Sequence, residues 1–265
     1  MTDFTEQDLG GSTFQRVNLS GAVFREAHLT GMDLRDVDLS GTRVRAAYLD
    51  GVRMTGVEAP HLEISGELGR VLVNGVDVVP LVEAELDRRT PERALMRPTD
   101  LAGLRTAFET LDRLWEATLE RARALPPEAL HERVAGEWSF VETLRHLGFA
   151  HACWVGGVVL ADPSPWHPLD LPWDEAPAHE GVPWDRDARP GLDEVLEVRA
   201  QRRATVAAVL DDLTDDGLGW AVSSATPFLQ DADSLTVADC LGVVVREEWE
   251  HRSYAERDLA ALDPS

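Results

Sequence analysis

From Phe4 onward an apolar side chain returns at every fifth position: Phe4, Leu9, Phe14, Leu19, Phe24, Leu29, Leu34, Leu39, Val44, Leu49 and Met54, with a lapse at Ala59 and a last beat at Ile64. Two positions before the beats stand mostly small or apolar residues, among them Ser12, Val17, Ala22, Ala27, Val37 and Ala47, while Gly, Asp, Arg and Ser fill the remainder. A period of five matches neither an α-helix nor a flat strand. It suits a solenoid that turns a corner every five residues, each repeat pointing one large and one small side chain inward so that stacking buries a continuous core.

The pattern changes after residue 68. Asn74-Gly75 lies between two β-branched runs within residues 69–81, which predicts a β-hairpin capping or extending the last coil. Residues 82–97, rich in Glu and Arg, read as a linker ending at Pro98. Leu101, Leu104, Phe108, Leu111, Leu114 and Leu119 then recur at three- and four-residue steps and predict an amphipathic helix over 100–124. A second helix starts at Ser139, which forms a capping box with Glu142, and runs to about Leu160. A third is expected over 192–213 and a fourth over 236–262, with 161–190 as a long crossover rich in Pro, Trp, Asp and Gly. Short first and third connections around that crossover predict a four-helix bundle running up-down-down-up. The expected divisions are 1–68 (solenoid), 69–97 (hairpin and linker) and 98–265 (bundle).

Composition narrows the function. The 265 residues suffice for two domains, and 44% hydrophobic content with eight Trp supports an ordinary core. No basic-then-apolar leader and no apolar run of membrane-spanning length stand out, so a cytoplasmic location and no membrane partner are expected. A net charge of −23 argues against nucleic acid as a partner. Residues 1–68 hold eleven acidic and six basic side chains, a net of −5, which leaves −18 on the rest of the chain. Two cysteines, Cys153 and Cys240, are too few for a disulfide framework.

Candidate chemistry gathers on two helices. Glu247 and His251 are four residues apart and share a helical face, a spacing that serves a metal or an ordinary solvated pair. His146 sits among Leu144, Leu147 and Phe149 on the second helix. Together the three would supply three ligands and leave positions open for water or substrate, the plan of catalytic rather than structural zinc. Cys153 and Cys240 each lie seven residues from a ligand and read as inert core thiols, with a redox pair as the alternative. His151 reads as a boundary or surface residue. Tyr254, Arg145 and Arg252 could meet an anionic substrate, though surface salt bridges account for the arginines more simply. Trp166, His167, Trp173 and Trp184 could form a lid, or the tryptophans could simply pack the crossover with His167 exposed.

Two resemblances sharpen these readings. Val17-Asn18-Leu19 and Ala27-His28-Leu29 resemble the pentapeptide-repeat family, which implies a short right-handed quadrilateral β-helix of about three coils. Trp138 to Leu147 and Glu247-Glu248-Trp249-Glu250-His251-Arg252 resemble the DinB-like superfamily, which includes mycothiol-dependent maleylpyruvate isomerase and related thiol S-transferases. That resemblance covers residues 98–262. It implies an α+β protein, a β-helix followed by a metal-binding four-helix bundle, with His146, Glu247 and His251 as ligands. The expected cofactor is a divalent metal, zinc first and nickel second, with a low-molecular-weight thiol as cosubstrate for a small-molecule substrate. A non-catalytic alternative makes the solenoid a surface for a protein partner of the topoisomerase-binding kind, with the bundle structural. A third makes the metal a mere staple of the bundle. A homodimer is compatible with each.

Overall fold

The computed structural model describes residue 4 and residues 7–25, 27–45, 47–174, 176–229 and 234–263. The chain divides into two compact units, residues 1–64 and 65–265.

In the first unit the backbone turns at regular intervals. Ser12, Ala22, Met32, Thr42 and Val52 each donate their N–H to the carbonyl three residues back, at 2.9–3.3 Å. Gly11, Gly21, Gly31, Gly41 and Gly51 supply the positive φ of +70° to +74° that these turns require. Midway between them Arg16 and Asp36 adopt φ of 53° and 52°, so corners follow at five-residue steps. The beat side chains, however, are not buried: they stand exposed, from 42% at Leu9 to 65% at Val44. No strand ladder joins successive coils among the described residues.

The second unit begins with the expected hairpin. Strands β1 (Leu72–Val73) and β2 (Val76–Asp77) pair antiparallel, and Asn74 and Gly75 both take positive φ between them. The segment expected to be a linker is helical, as α1 (Val79–Arg89) and α2 (Glu92–Leu95). Arg93 ties its two parts together through Glu83 and Asp87, at 2.7 and 2.8 Å.

Four long helices make the bundle: α3 (Leu101–Ala124), α4 (Phe140–His151), α5 (Leu192–Asp212) and, after a short α6 (Asp215–Leu218), α7 (Val237–Leu262). Three of them start at a side-chain cap. Asp100 accepts from Gly103 N–H at 2.7 Å, Ser139 and Glu142 form the expected capping box, and Thr236 and Asp239 form another. Cross-helix contacts fix directions: Thr118 of α3 meets Arg252 and Glu256 of α7, Arg105 of α3 reaches Leu210 of α5, and His151 of α4 meets Glu248 of α7. α3 and α7 therefore run together and α4 and α5 oppose them, in the up-down-down-up order. Leu104, Leu111, Val155, Leu241 and Val244 centre one core cluster, and Trp115, Leu144, Leu147 and Leu259 another.

One connection differs from expectation. The third runs from Leu213 to Thr236 and is not short. It carries α6 and an antiparallel bridge between Ala221 and Thr236, and Asp215 caps Leu101 N–H at 3.1 Å. α4 continues into a π-helical stretch, Ala152–Val159. There a Cβ on Gly156 would come within 2.5 Å of Pro165, and the Gly157 carbonyl accepts Ala225 N–H at 2.9 Å. The glycines thus let both flanking loops approach the widened turn.

Candidate metal centre

The capping box at Ser139 fixes where α4 begins, and so which face carries His146. On α7 the four-residue step brings Glu247 and His251 onto the face opposite. His146 Nε2 and His251 Nδ1 each lie 3.4 Å from Glu247 Oε2, and donor atoms of all three residues fall within 4.8 Å of one another. The two imidazoles stack with centroids 4.8 Å apart.

Both rings are oriented by main-chain carbonyls. His146 Nδ1 donates to Leu171 O and His251 Nδ1 to Glu247 O, each at 3.0 Å. A carbonyl can only accept, so each Nδ1 carries a proton, which leaves Nε2 as the nitrogen able to offer a lone pair. Burial, then the neighbouring His146, lowers the His251 pKa and favours that neutral ring. Burial alone would raise the Glu247 carboxyl, but the nearby His146 and His251 outweigh it and hold it below the ordinary glutamate range. A neutral His251 imidazole and an ionised Glu247 carboxylate are protonation states that metal binding requires.

Glu247 Oε2 is buried without a hydrogen-bond partner, since the two imidazole nitrogens at 3.4 Å do not meet hydrogen-bond geometry. An ionised oxygen left so is costly unless a cation satisfies it. Two nitrogens and one carboxylate oxygen are donors that suit zinc or nickel. The three residues therefore fit a divalent cation. Their side chains remain 12, 30 and 17% exposed for His146, Glu247 and His251, so the cluster opens to one side.

Around it lie aromatic residues, of which Trp138 and Phe149 were given no role of their own in the sequence reading and Phe228 was not named. The Trp138 ring sits 4.6 Å from His146 and 6.1 Å from His251, and its Nε1 donates to Asp174 at 3.1 Å. It stands just before the Ser139 cap, where the hydrophobic periodicity gives it no place. Phe149 packs 6.2 Å from His146 and joins Trp166, Trp173 and Trp184 in a cluster around Phe228. Tyr254, exposed, lies 5.9 Å from His251.

Several expectations need correction. Arg145 is not in a surface salt bridge: it is 1% exposed, and its guanidinium donates to the crossover carbonyls of Leu169 (2.8 Å), Ala188 (2.9 Å) and Asp185. His151 is buried, not a boundary residue, and pairs with Glu248 at 2.7 Å. His167 is half-buried and organises the crossover, its N–H donating to Asp170 at 2.8 Å. Arg252 does make a helix-surface pair, with Glu256 at 3.3 Å, and also reaches Thr118. Cys153 and Cys240 are buried and free, and burial pushes both thiols up to about 11.

The chain thus holds a His/Glu/His cluster between two helices of a helical bundle. Residues 110–255 match the family model of the DinB superfamily, and the chain belongs to that superfamily. Residues 2–41 and 18–56 match pentapeptide repeats, with eight copies, so the N-terminus carries a pentapeptide-repeat segment. Neither the curated proteins nor the solved structures gave a match. Among the described residues no helix is long and apolar enough to cross a membrane.

Proposed function

We propose that this protein is a divalent-metal enzyme of the thiol S-transferase or isomerase-like kind, acting in the cytoplasm, with zinc held by His146, Glu247 and His251 and nickel as the second choice. The observation that carries the reading is the partnerless buried Glu247 Oε2 facing two imidazoles whose Nδ1 atoms are already committed to carbonyls. A zinc ion there would supply Lewis acidity, lowering the pKa of a low-molecular-weight thiol or a water toward neutrality.

The chain's own residues do the rest. Leu171 O and Glu247 O hold the rings in one tautomer, and Trp138 covers one side of the imidazole pair. Tyr254 offers an exposed hydroxyl-bearing ring beside His251 for orienting a small-molecule substrate. No protein thiol takes part, because Cys153 and Cys240 are buried and held largely protonated at neutral pH.

Metal content tests the reading. Protein purified without chelator or affinity metal should carry about one zinc or nickel per chain, and His146→Ala and His251→Ala should lose it while remaining folded. Absence of metal in the wild type, even after reconstitution, would sink the proposal. A screen of thiol cosubstrates on the metal-loaded protein then separates a catalytic centre from a metal that only staples the bundle.

For the repeats we propose a stacked quadrilateral β-helix, because a strict apolar beat gains its stability only when successive coils cover it. A protein-binding role draws on the same exposed side chains. Leu29→Arg in the full chain separates the two: a stacked solenoid loses stability, whereas a binding surface keeps its stability and loses its partner.

A further inference from the structure

One and a half turns beyond His146 on α4, a second contact joins the helices that carry the candidate ligands. His151 Nε2 lies 2.7 Å from Glu248 Oε1, and Glu248 directly follows Glu247 on α7. From α5, Arg199 closes a fork on the same carboxylate, Nη1 to Oε1 at 3.0 Å and Nη2 to Oε2 at 2.6 Å. The Arg199 guanidinium also lies 4.6 Å from the Trp115 ring centroid on α3. Three of the long helices therefore meet at one fully buried carboxylate, and α3 reaches it through Trp115 on Arg199.

Such a network is a poor way to gain stability. Taking charges out of water costs about as much as their attraction returns, and apolar replacements of similar volume are often neutral or stabilising. What a buried network does supply is a single register, because every hydrogen bond fails together if a helix slides or rotates. His146 faces Glu247 and His151 faces Glu248, so the candidate ligand contact and the buried contact are two rungs between the same pair of helices. Five residues of α4 separate them, about 7.5 Å along the axis. A slip of α7 that broke the buried rung would carry Glu247 and His251 away from His146.

We infer that His151, Glu248 and Arg199 form the register lock of the metal centre, positioning residues that set where α7 presents Glu247 and His251 to α4. This rests on the metal reading above.

The test uses the full chain and Co2+ as probe. The triple variant His151→Leu, Glu248→Leu, Arg199→Met removes the lock without stranding a buried charge. Its helical circular dichroism should match the wild type, while Co2+ affinity falls by roughly 10–100-fold, the usual cost of losing groups that orient ligands. The cobalt d–d absorption should change as well, a signature that a purely stabilising role would not move. Arg199→Lys, which keeps the charge and loses the fork, should weaken Co2+ binding in the same direction and carries the test if the triple variant does not fold. Wild-type affinity and an unaltered spectrum in a folded lock variant would overturn the lock alone. A wild type that takes up no Co2+ would overturn the metal reading and the lock with it.

Discussion

Arg145→Met should loosen the crossover while leaving the bundle assembled. In the wild type three donations run from this buried guanidinium to the carbonyls of Leu169, Ala188 and Asp185, and Leu171 N–H returns to Arg145 O at 3.2 Å. Hydrogen bonds from a charged donor contribute about 1.5–3 kcal/mol each, so three at the low end amount to roughly 4–5 kcal/mol. Methionine fills a similar volume and removes the desolvation cost of a buried cation, which offsets part of that loss. The freed carbonyls can also turn to water, so the expected net loss is about 2–3 kcal/mol. Urea denaturation should read this as a lower midpoint at unchanged slope. Amide exchange should then accelerate between residues 166 and 190 and stay slow in the middle of α3. Arg145→Lys, able to restore one donation but not the fork, should fall between. A loss under about 0.5 kcal/mol, or exchange that rises evenly through the bundle, would refute the claim that this arginine pins the crossover.

Other expectations follow from single residues. Ser139→Ala removes the cap that sets the register of α4 and should cost about 1 kcal/mol in chemical denaturation. Burial pushes the Asp170 carboxyl up to about 6, even though Arg202 lies 2.9 Å away and opposes the shift. A folded-state pKa above the ordinary 3.8 means that its contribution to stability is present below about pH 4 and lost as pH rises through 6. The stability difference between wild type and Asp170→Asn should therefore move by up to ~3 kcal/mol between pH 4 and 7.5, and a pH-independent difference would count against the buried carboxyl. With both thiols pushed up to about 11, the native protein should resist iodoacetamide at pH 7.5 and show two free thiols once unfolded. A thiol that alkylates rapidly in the native state would contradict that burial.

The sequence made the helical unit readable because its signals were local. Leu101, Leu104, Phe108 and Leu111 repeat at helical spacing, and the Ser139/Glu142 box marks a helix start whatever the tertiary packing. The step from Glu247 to His251 placed both on one face, and His146 met them because α4 and α7 run antiparallel. What stayed hidden depends on partners far along the chain. Arg145 reads as an ordinary helix-surface arginine until the crossover folds back over it, and its acceptors are main-chain carbonyls, which carry no side-chain signature. His151 had the wrong angular offset for a ligand, and only the burial of Glu248 and Arg199 gives it a role. Trp138 gained its place from the fold of α4 against α7 rather than from any periodicity. In the repeats the pattern forecast corners every five residues, which Gly11, Arg16 and Gly21 and again Gly31, Asp36 and Gly41 match, yet the beat residues expected inside stand exposed. A period specifies which side chains share a face and does not by itself supply the neighbouring coil that covers them.

The most direct test of the metal centre is anomalous diffraction from crystals of the full-length protein, recorded at the zinc and nickel absorption edges. One peak is expected between α4 and α7, about 2.0–2.2 Å from a nitrogen of His146, a nitrogen of His251 and a carboxylate oxygen of Glu247. A peak bound by other residues, or no peak in crystals grown with excess metal, would contradict it.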